Sequence, residues 1–195
     1  MQATILTILL VGLLEGNPGV VVNATLALGV TLLPGLLARD LDVHLGSGLS
    51  LFITLAVLLH SIGMAGLYDR VWWWDHLTHV ISASLVASVG YATTGALDEY
   101  SDAVYFPPEF LAAFVFLFTV ALGVLWELLE HVGRELATAW GFEPLLIVYG
   151  LEDTMWDLVF DMIGGVLGAG YASRKLDGTT VAIRQYLERG WGRTE

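Results

Sequence analysis

Three short stretches of this chain carry side chains that can bind cations or move protons. WWWDHLTHV holds Asp75, His76 and His79; LWELLEHVGRE holds Glu127, Glu130 and His131; YGLEDTMWDLVFDMIGG holds Asp153, Asp157 and Asp161. Residues three or four apart share a helix face. Asp75 with His79, Glu127 with Glu130 and His131, and Asp153 with Asp157 and Asp161 therefore each predict one stripe. Five carboxylates, Asp75, Glu127, Glu130, Asp153 and Asp157, cannot all stay ionised in one low-dielectric pocket without compensation. Arg70, Arg134 and the histidines can supply some positive charge, but a divalent cation is the more economical answer. Carboxylates with imidazole suit zinc, iron or manganese, whereas a carboxylate-only subset suits magnesium or calcium.

The metal ligands predicted are Asp75, His79, Glu127, Glu130, Asp153 and Asp157. His131, Asp161, His60 and His76 are secondary candidates. His76 can be an interfacial residue beside Trp74, His131 a helix C-terminal cation, and His60 a hydrogen-bonded core histidine. Glu130 is the candidate general base for a metal-activated water. Helix capping accounts for Asp75 and Asp153 without any function, because acids near a helix N-terminus complement its dipole. It does not account for Glu127 and Glu130, which lie toward a C-terminus. The paired Glu-x-x-His pattern of di-iron bundles is absent. So are Gly-x-Ser-x-Gly, His-Glu-x-x-His and a P-loop. With no cysteine in the chain, disulfide, thiolate and zinc–cysteine chemistry are excluded.

The elements that must position these residues are membrane helices. The chain has 195 residues, 56% of them hydrophobic and only 14% charged, against about 25% charged in ordinary soluble domains. Mean hydropathy is +0.70. Apolar runs at 19–38, 49–68, 75–96, 109–133 and 153–173 approach or exceed the roughly 20 residues a spanning helix needs. A shorter run at 3–14 ends at the turn Glu15-Gly16-Asn17-Pro18-Gly19. The fold predicted is all-α, a polytopic transmembrane bundle of about six helices with the first short or re-entrant. Residues 1–175 form the membrane domain and 176–195 a polar tail able to form a surface helix. A loop is predicted from about 134 to 152. In this alternating arrangement the three polar stretches share one membrane side, and His60 approaches the same side.

Arg174, Lys175, Arg184, Arg189 and Arg193 are five of the eight basic residues. The positive-inside rule then puts the C-terminus of a cell-membrane protein in the cytoplasm. The formal net charge is −12, which points to a halophilic, archaeal-like source and excludes a basic nucleic-acid surface. The Asn23-Ala24-Thr25 sequon lies inside an apolar span and is discounted. Gly164, Gly165, Gly168 and Gly170 predict close helix packing.

The motifs resemble those of the YjdF-like family of small membrane proteins: Asp-x-Leu-x-His at Asp75–His79, Glu-Leu-x-Glu at Glu127–Glu130, and Asp-Thr-x-x-Asp at Asp153–Asp157, followed by Ile163-Gly164. The likeness covers roughly residues 1–175. It departs where Tyr149-Gly150-Leu151-Glu152 replaces the family's Gly-Asp-Pro-Trp lead-in, and at Asp161, where the family tends to be apolar. More distantly the arrangement resembles VanZ-like membrane proteins. The resemblance implies a site and no particular reaction. Three functions stay open: a metal-binding protein acting as a hydrolase on a lipid or envelope molecule, a cation or proton transporter, and a non-catalytic scaffold. The partners expected are the lipid bilayer and a lipid or small-molecule ligand.

Overall fold

The computed structural model describes residues 1–101, 103, 105–141 and 150–191, the last two of these without side chains, and among them every regular element is helical. Helix α1 spans Gln2–Glu15 and α2 spans Pro18–Asp40. Between them Gly16 takes the left-handed conformation that ends α1, and the Asn17 side chain accepts from Val20 N–H to cap α2. Helix α3, Ser47–Ile62, runs on through a π-turn at Gly63–Leu67 into Tyr68–Arg70. Helices α4 to α7 follow: Trp74–Tyr100, Pro108–Ala139, Leu151–Lys175 and Asp177–Trp191.

Four of these segments are long and apolar enough to cross a membrane: α2, Ser47–Arg70, α4 and α5. The chain is thus a helical membrane bundle. Helix α1, at 14 residues, falls short of a full span. Helix α6 has 25 residues, but its aspartates dilute its hydropathy and it does not meet the same criterion. The expected span at 109–133 extends to Ala139, so the loop placed from about 134 begins later. Residues 142–149 of that loop lie outside the described residues. Glu135, Leu136 and Ala137 are strong helix formers, and they carry α5 past Gly133.

Helix α4 is the centre of the bundle, and its pairing with α6 is the most extensive contact between any two helices. Small residues make it possible. A Cβ on Gly168 would run into the Ser84 backbone, and one on Gly164 would meet Val80 and Ala83. The serines on α4 also donate across the seam: Ser84 Oγ to the Gly164 carbonyl at 3.0 Å and Ser88 Oγ to the Gly168 carbonyl at 3.2 Å. Close backbones and interhelical hydrogen bonds are what hold helices together where hydrocarbon is the solvent. Helix α5 completes this half, with Ala87, Leu111 and Val115 forming a small core. Its outer face carries Phe110, Phe114 and Phe118, stacked in sequence and continued by Phe106 just before the helix. The three on the helix are exposed, as suits a lipid-facing ladder.

The other half is α1, α2 and α3 around Ile5, Ala24 and Ala27. At the end of α4 remote from Asp75, α7 packs across the bundle. Ile183 joins a core of Leu49, Ile53, Ala92, Ala172 and Leu176. Arg184 pairs with Glu99 at 3.3 Å and Arg189 with Asp42 at 2.6 Å. The segment expected as a polar tail therefore forms a helix docked on the bundle.

Candidate functional site

The tight α4–α6 seam sets two polar stripes face to face. Asp75 lies in the first turn of α4 and His79 one turn later; Asp157 and Asp161 occupy successive turns of α6. Asp157 and Asp161 are 2% and 4% exposed, and Glu127 arrives from α5 at 8%. His79 is the hub. Its Nδ1 lies 3.2 Å from Asp161 Oδ1. Its Nε2 lies 3.9, 3.8 and 3.9 Å from carboxylate oxygens of Asp75, Glu127 and Asp157.

Asp161 accepts from Nδ1–H. In the neutral ring this leaves the Nε2 lone pair facing three carboxylates, none within hydrogen-bond distance. Glu127 Oε1 is buried with no hydrogen-bond partner. One ligand atom from each of Asp75, His79 and Asp157 lies within 4.8 Å of the others. Ligand bonds of about 2.1 Å give a tetrahedral edge of about 3.4 Å, so the 3.8–3.9 Å separations from His79 Nε2 lie close to that edge, while Glu127 stands outside the mutually close trio of Asp75, His79 and Asp157. A metal-binding histidine characteristically donates its other N–H to a carboxylate, and Asp161 stands in that place. Gly123 on α5 makes room for Asp161, since a Cβ there would collide with its carboxylate.

His76 is drawn into the site as well. Its Nδ1 donates to Asp157 Oδ1 at 3.2 Å, and its ring stacks on Phe160 at 4.5 Å and 12°. The same oxygen thus faces both histidines. Glu130 is half-buried and lines the adjoining cavity. Asp153 is half-buried one turn above Asp157. His131 is exposed on α5 and does not join the cluster. The dipole argument for Glu127 requires correction: α5 ends at Ala139, about three turns further on, beyond the last turn where the dipole acts.

His60 also lines the cavity, with both ring nitrogens engaged. Asn23 Nδ2 donates to the Gly19 carbonyl at 2.9 Å, which orients the amide so that its Oδ1 accepts from His60 Nε2 at 3.1 Å. Tyr68 O–H then donates to His60 Nδ1 at 2.8 Å. The π-turn makes that contact possible: Gly66 at φ 117 supplies a conformation other residues rarely adopt, and Gly63 leaves space for the Tyr68 ring. Tyr68, Thr78 and Asn23 were not singled out from sequence as site residues. Tyr68 and Thr78, whose oxygens lie 3.2 Å apart, tie this second network to α4. Only the glycine pair Gly63 and Gly66 beside an apolar span hinted at a break there.

Between α2, α3, α4 and α5 the polar cluster opens into a cavity of about 500 Å³, apolar along most of its walls. Asp75, His79, Glu130 and Asp161 form its polar end.

Comparison with known proteins gives a family and no activity. Residues 1–178 match the family described as "Predicted membrane protein (DUF2238)". An uncharacterized protein of Thermotoga maritima is 29% identical over 130 residues, covering 66% of this chain and 63% of that protein. The match therefore spans somewhat under two thirds of the relative's length. No solved structure matches the chain. Neither comparison supports the more distant VanZ-like resemblance.

Proposed function

The chain belongs to the DUF2238 family of predicted membrane proteins, and we propose that it holds a divalent metal ion between α4, α5 and α6 and hydrolyses a lipid or envelope molecule there. The observation that carries this reading is the set of groups at His79 Nε2: the ring nitrogen and three carboxylates, one with a buried unpartnered oxygen, converging without a hydrogen bond among them. Without a cation such a cluster is costly in a low-dielectric bundle. Asp75, His79, Asp157 and Glu127 are the ligands, one nitrogen and three oxygens, which favours zinc, manganese or iron over magnesium. Asp161 and His76 orient ligands from behind. Asp153 borders the cluster.

A divalent ion supplies a Lewis acid and lowers the pKa of a water at the site. Glu130, facing the cavity, takes the proton from the attacking water and returns it to the leaving oxygen, so one water is consumed and one ester-type bond is cleaved. Among the described residues no Lys or Arg lines the cavity, so a phosphate-bearing substrate would depend on the metal for its recognition. The order of the three motifs supports uniting this family with the YjdF-like proteins. The acidic balance of the chain supports a high-salt habitat. The concentration of basic residues in the last segment supports a cytoplasmic C-terminus, which opens the site on the outer face.

Metal analysis of the purified protein tests the reading. About one metal ion per chain is expected in the wild type, and none in Glu127→Ala or Asp157→Ala. A metal-free wild type, with both variants unchanged in thermal stability, overturns it.

A further inference from the structure

We propose that the pocket receives its ligand sideways from the bilayer, through a gap between α2 and α5, and that this ligand is a lipid whose head group carries an ammonium and no net negative charge. The inference deepens the metal-hydrolase reading and rests on it for what happens to the ligand; binding itself does not require the metal.

The gap follows from how α5 is held. It packs on α4 and α6 but makes no extensive contact with α2 or α3. Ser82 lies on α4, the most central helix, yet it is exposed, because it forms part of the cavity floor. Leu26 and Val30 of α2 line the cavity and are 64% and 37% exposed; Leu125 and Leu129 of α5 do the same at 48% and 52%. All four line the cavity and stay exposed, so the cavity is open between α2 and α5, on the side that faces lipid. From Asp75 to Val86, both on the lining, α4 descends about 16 Å at 1.5 Å per residue. That is about half of the roughly 30 Å hydrocarbon layer. A water-soluble ligand has no use for an apolar slot of that depth open to lipid, whereas one hydrocarbon chain does.

The head group is chosen by charge. The polar end presents Asp75, His79, Glu130 and Asp161, with no Lys or Arg among the described residues. Even with a divalent ion in place, carboxylates outnumber the ion's charge. Trp126 stands at the cavity rim, 40% exposed, its ring 6.5 Å from that of His60. Trp126 and Glu130, four residues apart on α5, share a face of the helix and both line the cavity; an aromatic ring and a carboxylate on one wall favour an ammonium group, the ring through cation–π attraction, and disfavour an anion.

The test uses the full chain in nanodiscs of digalactosyldiacylglycerol, an uncharged host without an ammonium group, containing a small fraction of tail-brominated lipid, either dialkyldimethylammonium or phosphatidylglycerol with the same tails. Quenching assigned to Trp126 is the difference between the wild type and Trp126→Phe. The ammonium lipid is expected to reach half-maximal quenching at a several-fold lower mole fraction than the anionic one. Ser82→Phe, which fills the floor, abolishes this preference, as does Val30→Phe at the mouth. Glu130→Gln reduces it without changing volume. Equal quenching by the two lipids, or a preference unchanged in both blocked variants, overturns the proposal. Metal content measured on the same samples reads the other assignment separately. A metal-free protein that keeps the preference refutes the metal site and leaves the portal standing. A metal-loaded protein with no preference does the reverse.

Discussion

Asp161 decides what His79 can do. By accepting from Nδ1 it turns Nε2 toward Asp75, Glu127 and Asp157. In the proposed metal site its part is to position another group, so its loss should weaken binding without removing a ligand. Asp161→Ala should lower metal affinity by about 10–100-fold, with full occupancy recovered at higher metal concentration in a metal-buffer titration. Asp157→Ala removes a ligand atom and should not recover over the same range. His131→Ala should leave the titration curve unchanged, because that ring lies on an exposed face. An Asp161→Ala curve equal to wild type would remove Asp161 from the site. The position illustrates a general cost argument: an ionisable group this deep in an apolar helix costs roughly 2.5–3.5 kcal/mol on insertion scales, and a histidine N–H offsets part of that.

At the scale of elements, the site exists because α4 and α6 approach closely. Gly168→Ala puts a methyl group against the Ser84 backbone. Overpacking of this kind typically costs about 1–3 kcal/mol, and thermal unfolding in detergent should show the loss together with weaker metal binding. Gly170→Ala, where a Cβ meets nothing within 4 Å, is the matched control and should behave as wild type. The glycines and the three stripes were legible because helical period alone determines which residues share a face. Helix ends were less so. Gly133 and Arg134 resemble a stop signal, yet α5 continues to Ala139, and this removes the dipole explanation for how Glu127 is placed. The contact of His76 with Asp157 and that of Asn23 with His60 join residues far apart in sequence, 81 and 37 positions respectively. Such contacts depend on how helices pack, which periodicity does not encode. The π-turn was hidden for a related reason: its glycines read equally well as packing residues.

For the whole molecule, orientation can be read directly, because the chain has no cysteine to interfere. Trp72→Cys sits 81% exposed beside the site, and Gly178→Cys sits on α7 at the opposite end. In intact cells a membrane-impermeant maleimide should label the first, and the second only after permeabilisation. The opposite pattern would reverse the topology and open the site to the cytoplasm. Between these two ends lies the core of Leu49, Ile53, Ala92, Ala172 and Leu176, closed from beyond by α7 and its arginine clamps on Asp42 and Glu99. That plug gives the molecule a blind end. An ion bound at His79 has travelled only the first turns of α4, while a charge crossing the full membrane field gains about 2.3 kcal/mol per 100 mV. The larger part of that voltage falls across the closed half of the bundle below the site. Occupancy should therefore depend only weakly on membrane potential, which is the electrical signature of a cul-de-sac and not of a conduit.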